Sequence, residues 1–249
     1  MVFILLAGLI AIGLVHCAPE REAEDPATGQ RVRSSVSDSA AFYLRRGRLY
    51  MKEQVYTRAI EQLSQAVRHD PESAEAQSML GLAYALRLKP GKALPHIEKA
   101  IAIDPGNGIY HMHLGKTYML LTDYDNAKSA YTRAIELGLR RGKPYYDLGI
   151  ISEREGKLEA AQAFYETAIE MVPGMVAPCN LRLGIIAEKR GDSERAIELL
   201  AAALEADPNL TGAHYRIGQL YLEAGRDALA DFHLKQFRRL KVAEGYTGG

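Results

Sequence analysis

Residues 74–107, AEAQSMLGLAYALRLKPGKALPHIEKAIAIDPGN, hold two stretches of helical periodicity in succession. Ala76, Leu80, Ala83 and Tyr84 share one face of the first; Ala93, Ile97, Ala100 and Ile101 share one face of the second. The pattern extends in both directions. Gly47, Gly81, Gly115, Gly149, Gly184 and Gly218 recur every 34 residues, with one step of 35, and Ala59, Ala93, Ala127, Ala161, Ala196 and Ala230 each follow twelve residues later. Glycine is about 7% of average composition, so six in register, each tied to an alanine, mark a repeat whose unit is one supersecondary element. With the glycine as position eight, the units are 40–73, 74–107, 108–141, 142–176, 177–210 and 211–244.

A small residue where two helices cross lets their axes approach toward the short end of the usual range of about 8–10 Å. Gly156, Gly191 and Gly225 stand between the two helices of a unit, where a left-handed C-cap residue is wanted, and Asp-Pro pairs at 70, 104 and 207 stop the second helix. One such pair cannot bury its apolar face alone, so six stacked units predict one elongated solenoid. Two units depart from the pattern. The third has Leu139 where proline is expected, inside Gly138-Leu139-Arg140-Arg141-Gly142, and the sixth has Phe237 and Val242 in place of Ala and Pro. Bulk at those last positions predicts that the stack ends there, with the final helix a cap whose outer side faces solvent.

A period of 34 with Gly at position eight, Ala at twenty and twenty-seven (Ala66, Ala100, Ala134, Ala168, Ala203) and Pro at thirty-two (Pro71, Pro105, Pro173, Pro208) resembles the tetratricopeptide repeat (TPR) family. Tyr50, Tyr84, Tyr118 and Tyr221 at position eleven add to the likeness. The resemblance implies an all-α, right-handed superhelix of six helix-turn-helix repeats.

Apolar residues make up 47% of the chain and charged residues 25%, with 31 basic against 31 acidic, so no global field favours nucleic acid, a charged membrane surface or an acidic substrate. Val2 to Val15 is an apolar or small-residue run, too short to span a bilayer comfortably and suited to the apolar region of a secretory signal. Cys17, just after it, resembles the acylated cysteine of a bacterial lipobox, although His16 stands where Gly, Ala or Ser is normal and no Lys or Arg precedes the run. A signal cleaved elsewhere, an uncleaved short anchor and a buried N-terminal helix remain alternatives. The reading is thus a signal at 1–16, lipidation at Cys17, a flexible tether at 17–39 and the repeat domain at 40–249. Ala18 after the cysteine resembles Gram-negative lipoproteins sent to the outer membrane, which implies an exported chain in the cell envelope, facing the periplasm.

Candidate chemistry is sparse. Gly115-Lys116-Thr117 lacks the earlier glycine of a phosphate-binding loop, because position 110 is Tyr. His111 and His113 diverge by about 200° on a helix and cannot share a metal. Cys179 falls in a first helix, where a small buried thiol is expected. No catalytic residue, cofactor, metal, nucleic acid or small-molecule substrate is indicated, and the chain reads as a non-enzyme.

What remains is binding through shape. In the TPR family the first helix of each unit lines a concave surface, with positions two, five, nine and twelve pointing inward. Carried over residue by residue, this implies a groove lined by Leu44, Arg48, Leu82, Met112, Lys116, Tyr146, Ile150, Leu181, Ile185 and Tyr215, with Ser78 and Gln219 completing positions five and nine. Its middle reads as apolar and aromatic, with few charges, and suits a peptide segment with apolar anchors. The alternative is that these side chains pack within the solenoid. The Lys and Asn arrangement with which some chaperone-binding TPR domains grip a terminal carboxylate is absent, since Leu44 and Arg48 hold those positions in the first unit. Signal, cysteine, tether and six units together resemble the pilotin-like lipoproteins of type IV pilus biogenesis. The expected function is a protein-binding adaptor in the envelope; a soluble periplasmic chaperone or a regulatory subunit of an envelope enzyme are the other readings.

Overall fold

The computed structural model describes residues 36–246, which form twelve α-helices and a short 3-10 turn, with no strand among the described residues. The helices pair as α1 (Val36–Lys52) with α2 (Tyr56–His69), α3 (Ala74–Leu86) with α4 (Pro90–Ile103), and α5 (Gly108–Leu120) with α6 (Tyr124–Glu136). The series continues with α7 (Gly142–Arg154) and α8 (Leu158–Met171), α9 (Val176–Lys189) and α10 (Ser193–Ala206), and α11 (Thr211–Glu223) and α12 (Asp227–Tyr246). Each helix packs on the next in sequence, so the core is a continuous seam of nearest-neighbour contacts. Helix α1 opens four residues before the first unit, with Asp38 in the first turn complementing the helix dipole. The signal at 1–16, Cys17 and most of the tether lie outside the described residues.

The glycine comb is a packing requirement. A Cβ on Gly81 would lie 2.5 Å from Ile97, on Gly115 2.8 Å from Tyr131, on Gly149 2.5 Å from Tyr165, on Gly184 2.8 Å from Leu200 and on Gly218 2.7 Å from Leu234. In every unit the glycine of the first helix receives a bulky side chain from the second, and the alanine of the comb is fully buried beside it.

The turn inside each unit repeats one geometry. The residue seven after the comb glycine is left-handed in all six: Gln54, Leu88 and Thr122 (φ 60°, 53° and 58°), then Gly156, Gly191 and Gly225. Each turn closes with two bonds back to the helix, as in Gly156 N to Glu153 O (3.1 Å) and Lys157 N to Ser152 O (2.9 Å), the Schellman arrangement. A β-branched side chain is costly in this region, whereas glycine is free of strain. Thr122→Gly is therefore expected to raise stability by about 0.5–1 kcal/mol, and Gly156→Thr to lower it by at least as much, read as shifts in the urea midpoint.

Between units, Asp70, Asp104 and Asp207 end their helices in extended geometry, as the following prolines require. The carboxylates of Asp70 and Asp207 each accept a backbone N–H two residues on. A side chain of the next helix then ties the turn down: Gln77 to Pro71 O (3.0 Å), His111 to Pro105 O (3.2 Å) and His214 to Pro208 O (3.2 Å). The third junction works differently. Gly138 (φ 80°) and Leu139 bond back to Ile135 O and Ala134 O, so a second Schellman turn replaces Asp-Pro without changing the length. The fourth unit places its extra residue in the 3-10 turn Pro173–Met175. On α12, the last described helix, Leu229, Phe232 and Val242 are exposed apolar side chains, unlike the polar outer face of a capping repeat.

Candidate partner-binding groove

The inner positions lie on the odd-numbered helices, and the structure divides them. Leu44 packs on Ala59, Leu63, Leu80 and Ala83; Met112 on Ala127, Tyr131, Leu148 and Ile151; Tyr146 and Ile150 on the cluster around Tyr165 and Cys179; Leu181 on the cluster around Leu200 and Ile217. These, with Leu82, Lys116 and Ile185, are half-buried, keeping one flank open. Arg48 is exposed and pairs with Glu75 on α3. Tyr215 is 44% exposed, its ring 5.1 Å from Phe237. Ser78 is withdrawn altogether: it is buried and bonded to His113 Nδ1 at 2.8 Å.

The inner helices carry more charge than the apolar middle anticipated, and most of it is tied into bonds between units. Tyr131, fully buried on α6, donates to Asp147 Oδ2 at 2.7 Å, and Lys143 bonds the other oxygen of the same carboxylate. Tyr165 on α8 donates to Glu153 Oε2 at 2.7 Å, and Arg182 and Lys189 on α9 approach that carboxylate at 3.7 and 3.4 Å. Arg216 on α11 pairs with Glu188 on α9. Burial first, and then the neighbouring acid, pushes both phenols well above the usual tyrosine range, so they act as fixed donors.

His113 is almost wholly buried; desolvation first, then the positive charges of Lys116 and Arg141, pulls its pKa down to about 4. It is a neutral internal histidine, while His111 ties down a turn. Burial raises the Cys179 thiol to about 12, so it is an inert core side chain. Thr117 donates to His113 O at 2.9 Å and Gly115 packs on Tyr131, which accounts for two of the three residues of the phosphate-loop fragment as packing.

Tyr146 and Tyr215 differ in kind. Tyr146 lies 5.6 Å from the Tyr165 ring and has the Lys143 ammonium 4.8 Å above it, so part of its surface belongs to the fold. Tyr215 shows far more of its ring to solvent. Sequence reasoning placed Glu153 among the few charges of the groove but missed Tyr131, Asp147, Arg182 and Arg216. One signal for Asp147, Arg182 and Arg216 was present: position six reads Arg45, His113, Asp147, Arg182 and Arg216 in five of the six units, a polar stripe beside the expected lining.

Models of the tetratricopeptide repeat match residues 44–108, 110–137 and 152–209. The chain belongs to the tetratricopeptide repeat family. Among relatives, it is 29% identical over 202 residues to the mouse Superkiller complex protein 3, covering 77% of this chain and 13% of that one. It is 25% identical over 171 residues to the Type IV pilus assembly protein PilF of Pseudomonas aeruginosa, covering 67% of this chain and 65% of PilF. The solved P. aeruginosa PilF superposes with a TM-score of 0.73 at 19% identity over 86% of this chain and 95% of that one. The type IV pilus biogenesis factor PilW superposes at 0.71 and 16% identity over 80% and 92%. These superpositions show a shared TPR α-solenoid. TPR proteins bind protein or peptide partners and are generally non-catalytic scaffolds, and no helix among the described residues is long and apolar enough to cross a membrane.

Proposed function

We propose that this TPR protein is a non-catalytic adaptor of the bacterial cell envelope that holds a partner polypeptide along its inner helices, in the assembly of a pilus or another outer-membrane complex. The observation that carries the reading is the row of half-open side chains from Leu44 to Tyr215, ending in an aromatic ring with much of its surface uncovered. Such amphipathic rings are the usual anchors of protein interfaces. The likeness to PilF and PilW supports the pilus-assembly part of the reading.

Tyr215→Ala is expected to weaken partner binding by about 2 kcal/mol while leaving the urea midpoint unchanged. Tyr146→Ala is expected to lower binding and stability together, because its ring also packs on Tyr165. The measurement is recovery of envelope proteins from solubilised membranes, with each variant as a control. Recovery no greater with the native chain than with Tyr215→Ala would sink the adaptor reading.

Attachment to the membrane is proposed to run through an acylated Cys17, with the chain facing the periplasm. Metabolic labelling with a palmitate analogue should mark the native chain and not Cys17→Ser. Equal labelling of the two would remove the anchor from the proposal.

A further inference from the structure

The even-numbered helices expose the same two positions in each unit. Arg58 and Glu61, Asn126 and Ser129, and the ion pair of Arg195 and Glu198 hold them in the first, third and fifth units. The sixth unit has Leu229 and Phe232 there, 46% and 54% exposed. The junction beside them is changed as well. Lys128 bonds Glu155 and Arg190 bonds Gln162 across the two preceding junctions, whereas Ile197 and Ala224 occupy those positions at the last. Between α10 and α12 lies an open groove, with Ile197, Ala201 and Leu204 on one wall and Phe232, Gln236 and Arg239 on the other.

The charges along this groove are divided. From residue 232 to 243, α12 carries Lys235, Arg238, Arg239 and Lys241 and no acid, while α10 carries Glu194, Glu198 and Glu205 against Arg195. Leu229, Phe232, Gln236, Arg239 and Ala243 follow one another at alternating spacings of three and four, the seam of a helix that pairs with another helix. All but Gln236 are exposed.

We propose that the groove between α10 and α12 is a self-association surface, filled by α12 of a second copy lying antiparallel about a two-fold axis near Gln236. In that arrangement Leu229 meets Ala243 of the other copy and Phe232 meets the guanidinium of its Arg239, each contact occurring twice. The cationic half of the second α12 passes over the first half of α10, where Glu194 and Glu198 stand. Lys235 comes near its own copy at the axis, and Asp231, 2.6 Å from it, offsets that repulsion. A parallel pair loses the match, because it sets the cations of the two α12 helices side by side. End-to-end stacking on α12 meets a charge, since Arg238 stands where the first five units have Val67, Ile101, Ile135, Ile169 and Leu204. An anionic lipid surface answers the cations of α12 and not the acids of α10. The surface lies on the even-numbered helices, so it does not depend on the adaptor reading.

The test uses the full chain with Cys17→Ser, which keeps acyl chains out of the measurement. Sedimentation velocity should show the mass rising from one copy to two with concentration. Phe232→Glu should weaken that association by about tenfold or more and leave the urea midpoint within error, because the ring is exposed in the single copy. In the same background, Gln236→Cys should form a disulfide between copies on mild oxidation, and Leu229→Cys, two turns from the axis, should not; Cys179 is buried and takes no part. A single-copy mass at every concentration, association unaltered by Phe232→Glu, no link through Gln236→Cys, or a link through Leu229→Cys would overturn the proposal. So would a single-copy chain that binds phosphatidylglycerol vesicles and is released from them by Phe232→Glu, which assigns the surface to lipid.

Discussion

Tyr165→Ala should destabilise the solenoid by about 3–5 kcal/mol, the cost of emptying a fully buried aromatic site. The ring fills the space left by Gly149 and its hydroxyl donates to Glu153, so truncation removes packing and a hydrogen bond together. Tyr165→Phe isolates the second part and should cost about 1–2 kcal/mol, since Glu153 keeps Arg182 and Lys189. Gly149→Ala attacks the same contact from the other helix: a methyl group 2.5 Å from a ring held in the core costs about 1–3 kcal/mol. Combined with Tyr165→Ala, it should cost less than the sum, because the truncated ring leaves room for the methyl. Urea unfolding of the four variants decides the matter. Strict additivity would mean that the glycine is not there to receive the ring.

Acid should weaken the fold through His113. Its pKa is about 4 in the folded chain against 6.5 for an ordinary histidine, so the unfolded chain binds the proton first as pH falls. The contribution of the neutral imidazole is complete above pH 6.5 and is lost as pH drops from 6.5 toward 4. Each pH unit between those two values is worth about 1.36 kcal/mol, so the loss approaches about 3 kcal/mol at the acid end. His113→Gln keeps a polar group within reach of Ser78 and cannot titrate. The stability difference between native chain and variant should therefore change by that amount between about pH 7.5 and about pH 4. A difference that stays constant would show that the imidazole is protonated as easily inside as outside.

Much of the architecture was legible in advance because a repeat displays each local rule several times over. Gly81 alone is one helical glycine; with five partners, each followed twelve residues on by alanine, it becomes a steric specification that Ile97 and Tyr165 then satisfy. The Asp-Pro stops and the left-handed glycines were legible for the same reason. Thr122 and Leu88 were not: threonine and leucine carry no intrinsic preference for positive φ, and only the closed turn places them there. The groove was legible as a set of positions. How far each side chain is committed to packing was not, as Ser78 and Tyr146 show, because both are engaged by residues of the next unit or the next helix.

Helix pairing, repeat length and the crossing points were determined by the sequence itself, since they depend on backbone sterics and on contacts between neighbours in the chain. Which charges meet was decided by the tertiary structure. Glu153 and Arg182 lie 29 positions apart and Tyr131 and Asp147 16 apart, and neither spacing implies a bond until the superhelix sets the offset of one unit on the next.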